Sequence, residues 1–244
     1  MEVRPWGTSF ELKNNSNMRL VIFDVDGTLT DSAVDTCCFL RAFVDVCGFT
    51  DVDSDWSRYK NATDVGVFCE VFESHNGRAP SSHETTKFRE HLFQLFRSAA
   101  WESPFPVIPG APEMLALLNR SSGYRVAIAT GCWRESARIK MASGAMDYDA
   151  YPSASADDAP ERATIIQLAV KRAAIRYGGL ADSVYVGDGI WDAAACRTLR
   201  IPFIGIGIGS RAEELREAGA VHVFADLADR DEFLQVLQSI ETKL

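Results

Sequence analysis

A chain of 244 residues, 47% of them hydrophobic and 24% charged, can bury one substantial core and a smaller satellite, which excludes a disordered or fibrous protein. Its net charge of −9 is spread along the sequence, which argues against nucleic acid or an anionic membrane surface as a partner. No run nears the roughly 18 apolar residues of a membrane span, the first 17 residues hold no apolar secretory core, and the cytoplasm is the expected compartment.

In chain order, residues 1–17 read as a loose extension, and RLVIF (19–23) as a short buried strand. From about residue 33 to 104 no strand pattern occurs. Three helical patterns fill that interval, AVDTCCFLRAFVDVCG, NATDVGVFCEVFESH and SHETTKFREHLFQLFRSAA, and the proline-rich ESPFPVIPGAP marks its exit. So long an insertion predicts a helical subdomain after the first strand, with the core formed by residues 18–32 and 105–244. Within that core RVAIA (125–129), SVYVG (183–187) and IPFIGIG (201–207) predict further parallel strands. Helices are expected over residues 112–119, 134–143, 160–177, 192–199, 212–218 and 230–240. The alternation predicts a doubly wound, Rossmann-like α/β sheet.

The six cysteines contain no C-x-x-C pair, and Cys37 and Cys38 are adjacent, which suits neither a disulfide framework nor zinc. The four histidines lack metal-ligand spacing.

Three of the apolar runs end in residues suited to phosphate chemistry: LVIF before Asp24, VAIA before Thr130 and VYVG before Asp188. Ligands of open α/β sheets bind at that end of the strands. Asp24 and Asp26, two apart in extended chain, project to one side, so one carboxylate can attack phosphorus while the other handles the proton. GDGIWD adds Asp188 and Asp192 at a strand-to-helix junction. Four converging carboxylates require a hard cation with oxygen ligands, and Mg²⁺ fits best.

DVDGT (24–28), Thr130 after its strand, and GDGIWD (187–192) together resemble motifs one, two and four of the haloacid dehalogenase superfamily in its phosphatase branch. The order and the inserted helical cap are similar to phosphoglycolate phosphatase-like members. The resemblance implies an Mg²⁺-dependent phosphatase acting on a small phosphorylated metabolite through an aspartyl-phosphate. Asp24 would be the nucleophile and a metal ligand. Asp26 would be the general acid/base, with its backbone carbonyl on the metal, and Asp188 and Asp192 would complete the metal set. Thr130, Gly131, Gly27 and Thr28 would serve the phosphoryl group.

Motif three departs from the family pattern. A lysine is usual there, whereas SADDAPERATIIQLAVKRA offers Arg162 at the helix start, with Lys171 as the alternative cation. Asp157 and Asp158 are expected to cap that helix, with Pro160 near its first position. The cap loop RYKNATDVG (58–66) supplies Lys60, Asn61, Thr63 and Asp64 as candidate contacts to the leaving group, or simply as a turn and a helix cap. Trp133 and Trp191 are candidates for the pocket wall or for core packing. A dehalogenase would not need Asp26. A phosphonate hydrolase would need a cap lysine, for which Lys60 and Lys87 are available, while a phosphomutase would share the core. A non-catalytic binding module would lack a nucleophile or ligand, and only the motif-three cation is atypical.

Overall fold

A computed structural model describes residues 18–241, so the expected extension over residues 1–17 lies outside the described residues. Six strands, β1 (Arg19–Phe23), β2 (Tyr124–Ala129), β3 (Ser153–Ala154), β4 (Asp182–Gly187), β5 (Phe203–Ile206) and β6 (His222–Phe224), form one parallel sheet in the order β3-β2-β1-β4-β5-β6. β3 and β6 were not expected. They span two and three residues, too short for an apolar run to announce them.

β1 is apolar throughout after Arg19 because both of its faces are covered. Val21 and Phe23 pack with Met114, Leu115, Leu118, Phe233 and Leu237 from α4 (Ala111–Arg120) and α9 (Arg230–Ser239). Leu20 and Ile22 face the other way, onto Ile165, Ile166 and Ala169 of α6 (Arg162–Tyr177). Phe23 stands in register with Ile128 of β2 and Val186 of β4, so the residues that follow these three strands emerge on one rim. α5 (Arg134–Ser143), α7 (Ile190–Leu199) and α8 (Gly209–Glu217) complete the layers.

Between β1 and α4 lie α1 (Ala33–Cys47), α2 (Asp64–Asn76) and α3 (Ser82–Glu102), which share an aromatic core of their own. The Phe88 ring lies 4.7 Å from Phe43 and 4.4 Å from Phe68. Local signals set the helix ends. Ser81 and Glu84 form a capping box on α3, and Gly48 ends α1 in the left-handed region at φ 76°. Trp133 joins this core at 1% exposure and so packs instead of lining the site.

The carboxylates before α6 do not cap it. That helix starts at Arg162 with Glu161 as its N-cap. Asp157 instead accepts from the backbone N–H of Arg134, 2.7 Å away at the start of α5, and pairs with Arg89. Asp158 accepts from Ser155 and from both Nη atoms of Arg172 at 2.7 and 2.8 Å.

Candidate active site

Asp24 leaves β1 with its backbone N–H donating to Val186 of β4, which places its carboxylate between the two central strands. Asp188 follows β4, and Asp192 sits in the first turn of α7, where it accepts from the Gly189 N–H at 3.2 Å and from the Tyr185 hydroxyl at 3.2 Å. One oxygen from each of Asp24, Asp188 and Asp192 lies within 4.8 Å of the others. Gly27 is what lets Asp188 come so near. It adopts φ +72°, and a Cβ there would meet Asp188 Oδ2 at 2.1 Å.

Three anionic groups gathered under the sheet rim are costly. Burial, then the neighbouring carboxylates, hold Asp188 well above the ordinary carboxylate range. Burial pushes Asp192 up to about 7 and raises Asp24, although the Arg162 charge pulls both the other way. An all-carboxylate donor set whose charge Arg162 and Arg211 offset only in part fits a hard divalent cation such as Mg²⁺, which takes oxygen ligands. Asp26 is not part of this cluster. Its Oδ2 turns instead to Lys140.

Arg162 reaches the carboxylates from the first residue of α6. Its Nη1 is 3.2 Å from Asp24 Oδ1 and its Nε 3.3 Å from Asp192 Oδ1, while Nη2 donates to the Ala62 carbonyl of the cap loop. Burial works against its charge, but Asp24 and Asp192 outweigh that and hold its pKa above the ordinary arginine value. Lys171 is exposed on the same helix and does not line the cavity. Thr130 is buried beside Asp24, with its hydroxyl 3.2 Å from Cys132 Sγ, and Gly131 keeps the space that a Cβ would take from Arg162 Nη2, 2.5 Å away.

These groups open into a cavity of about 240 Å³ walled by Asp24, Asp26, Thr130, Gly131, Arg162 and Asp188 from the sheet side, and by α1, α2 and the loop between them. Trp191 lines it, unlike Trp133. Four expected contacts are not on its wall, among them Lys60, which is exposed. Gly27 lies beneath Asp188, Thr28 is fully buried in its turn, and Asn61 packs by Gly66. Thr63 does reach the wall, but its hydroxyl is engaged as the N-cap of α2: it accepts from Gly66 at 3.1 Å and donates to the Pro160 carbonyl at 2.9 Å.

Sequence reasoning missed Lys140. Its side chain is fully buried in α5, with Nζ 2.6 Å from Asp26 Oδ2 and 2.8 Å from Asp35 Oδ1, and 5.2 Å above the Phe96 ring. Burial opposes its charge, yet Asp26 and Asp35 prevail and hold the ammonium's pKa well above its ordinary value. Asp35 is raised to about 6 by burial against the pull of Lys140, and Asp64 is raised by burial and by Asp35. No local motif marks a lysine whose partners are 114 and 105 residues away.

A family model described as haloacid dehalogenase-like hydrolase matches residues 18–199. No curated protein matches the chain. Among solved structures, a hydrolase from Pseudomonas syringae is similar with a TM-score of 0.69 at 24% identity, over 88% of this chain and 97% of that one. CbbY from Rhodobacter sphaeroides, in complex with phosphate, gives 0.66 at 18% identity over 87% and 96% of the two chains. A predicted phosphoglycolate phosphatase from Haemophilus somnus gives 0.61 at 18% identity over 90% and 99%. At such identities the structural likeness speaks for the fold alone.

Proposed function

Because the chain belongs to the haloacid dehalogenase-like hydrolases, we propose that it is an Mg²⁺-dependent phosphatase that hydrolyses a small phosphomonoester through an aspartyl-phosphate on Asp24. The observation that carries this reading is Asp24 itself, buried at the floor of the cavity, 3.2 Å from Arg162 and within the three-carboxylate cluster. Asp24, Asp188 and Asp192 would hold the divalent cation, which when bound supplies neutralising charge to the phosphoryl oxygens.

The chain's own groups divide the remaining work. An Asp24 oxygen attacks phosphorus as the bond to the leaving oxygen breaks, and Asp26 gives that oxygen its proton. Asp26, now a carboxylate, then takes a proton from water, whose oxygen displaces Asp24 and releases inorganic phosphate. Lys140 fixes Asp26 Oδ2, while the buried Oδ1 makes no hydrogen bond within the protein and is free for this exchange. Arg162, Thr130 and the Gly131 N–H would steady the transferring group. The helices over residues 33–104 act as a cap that keeps bulk water and large substrates out. CbbY, a fold relative in complex with phosphate, supports a phosphate site on this scaffold. A cytoplasmic setting and a small phosphorylated metabolite as partner belong to the same proposal.

Phosphate release over a panel of sugar phosphates, other small phosphomonoesters and nucleotides, with and without Mg²⁺, tests the reading. Asp24→Asn is expected to lower release by at least about 10³-fold. Release that survives the substitution overturns the mechanism, and a rearranged phosphate ester in place of inorganic phosphate assigns the site to a mutase.

A further inference from the structure

The two ends of the cavity differ in charge. At the phosphoryl end, Arg162 and Arg211 both line the wall beside Asp24 and Asp188. At the other end Asp26, Asp35 and Asp64 have one ammonium among them, that of Lys140, and it is no part of the wall. Its side chain has no exposed surface, and it already donates to Asp26 and Asp35. Asp35 and Asp64 do line the wall, with Thr36, Ser54, Phe39 and Trp56, and no lysine or arginine of the cap joins them.

The general acid decides which end receives the alcohol portion of the substrate, because it must lie beside the leaving oxygen. Asp26 is joined through Lys140 to Asp35, so the alcohol portion extends toward α1 and the Asp64 turn, away from Arg211. A carboxylate or second phosphate arriving there meets Asp35 and Asp64 with no free cation among the described residues to receive it. Hydroxyl or amine donors meet acceptors, and carbon skeletons meet the rings of Phe39 and Trp56. Asp64 is held in place for this, since its Oδ2 accepts from the Trp133 N–H at 2.8 Å and its own N–H donates to the Gly131 carbonyl at 2.8 Å.

We infer that the cap half of the cavity selects phosphomonoesters whose alcohol portion is uncharged or cationic and bears hydroxyl or amine donors, and discriminates against carboxylated and bisphosphorylated esters. This rests on the phosphatase reading above and narrows it. Resemblance to phosphoglycolate phosphatase-like proteins would point the other way, toward a carboxylated substrate.

The test is kcat/KM, in the presence of Mg²⁺, for matched pairs that differ by one anionic group: 2-hydroxyethyl phosphate against phosphoglycolate, and glycerol 3-phosphate against 3-phosphoglycerate. The uncharged member of each pair is expected to be favoured by about tenfold or more, because an anion on that wall is taken out of water without a cation to pair it. Thr36→Lys, which puts a cation on the same wall, is expected to narrow the gap by about threefold by raising turnover of the carboxylated member. Equal or reversed preference in the unmodified enzyme overturns the inference and leaves the phosphatase reading intact. So does a gap that Thr36→Lys leaves unchanged. Release from no compound, or release indifferent to Asp24→Asn, overturns both.

Discussion

Arg162 and Lys140 are both buried cations that grip aspartates of the site, yet they are built for different tasks. Arg162 stands at a helix start, and its planar fork spans Asp24, Asp192 and the Ala62 carbonyl at distances of 3.2 to 3.3 Å. Those loose contacts leave a guanidinium able to turn part of its charge toward an incoming phosphoryl group. Lys140 lies in the middle of α5 and makes two short bonds, 2.6 and 2.8 Å, to Asp26 and Asp35. Its charge is committed within the protein, joining Asp26, the proposed acid/base, to α1. One end of the site is thus arranged to receive charge and the other to fix an orientation.

Removing Lys140 tests that contrast most severely. Lys140→Met leaves the partly buried Asp26 and Asp35 carboxylates facing one another without the cation between them, which costs up to the roughly 3–5 kcal/mol of a fully buried pair. The urea midpoint of the purified variant is expected to fall accordingly. Among molecules still folded, alkyl phosphates are expected to lose more activity than p-nitrophenyl phosphate, whose leaving group needs no proton. Equal losses on both would reduce Lys140 to a stabiliser of the fold.

Arg162→Ala comes next, with kcat/KM expected to fall by about 10²–10³. Arg162→Lys restores only part of that, because a point charge reaches one carboxylate where the fork reached two. Full rescue by lysine in a phosphate-release assay would remove the distinction between the two cations.

The same contrast separates what was legible in the sequence from what was not. Asp24, Thr130, Asp188 and Arg162 each sit at a strand end or helix start, positions that local pattern marks, and the parallel register brings those ends to one rim. Lys140 occupies an ordinary helix position in RIKMAS, and its burial depends on packing against Phe96 and two distant aspartates. Asp157 was misread for the same reason. A carboxylate three residues before a proline suggests a local cap, and only the tertiary structure carries it to the N-terminus of α5. β3 and β6 escaped because two or three residues carry no usable periodicity. Residues 1–17, expected as an extension, remain outside the described residues.

Charge at the phosphoryl end should also appear in the stability of the metal-free protein. Asp188 and Asp24 are raised, and Asp192 to about 7, by burial among like charges. The folded state therefore holds protons that the unfolded chain, with carboxylates near 3.9, has released. Stability falls where the native state binds more protons, so it is expected to decline as pH rises from about 4 through 7. Mg²⁺ bound by ionised carboxylates should reverse that trend, adding about 2.7 kcal/mol at a hundredfold excess over its Kd and more at pH 8 than at pH 5. Thermal unfolding with and without EDTA measures both. Asp35, at about 6 beside Lys140, adds to the decline in the metal-free protein but lies outside the three-carboxylate cluster, so Mg²⁺ should not relieve its share.

The smallest expected effect falls on the contact that seats the cap. Thr63 caps α2 through Gly66 and donates to the Pro160 carbonyl, so its one hydroxyl serves both a helix end and the junction between cap loop and core. Thr63→Ala should cost about 1 kcal/mol, the usual worth of an N-cap, and Thr63→Ser should restore most of it. If the hydroxyl is committed to these two bonds, the serine variant should also recover kcat/KM for every ester in proportion to its recovered stability. Thr63 lines the same cavity wall as Asp64, so a substrate-dependent shortfall in Thr63→Ser would instead mean that the threonine methyl takes part in sorting the leaving group.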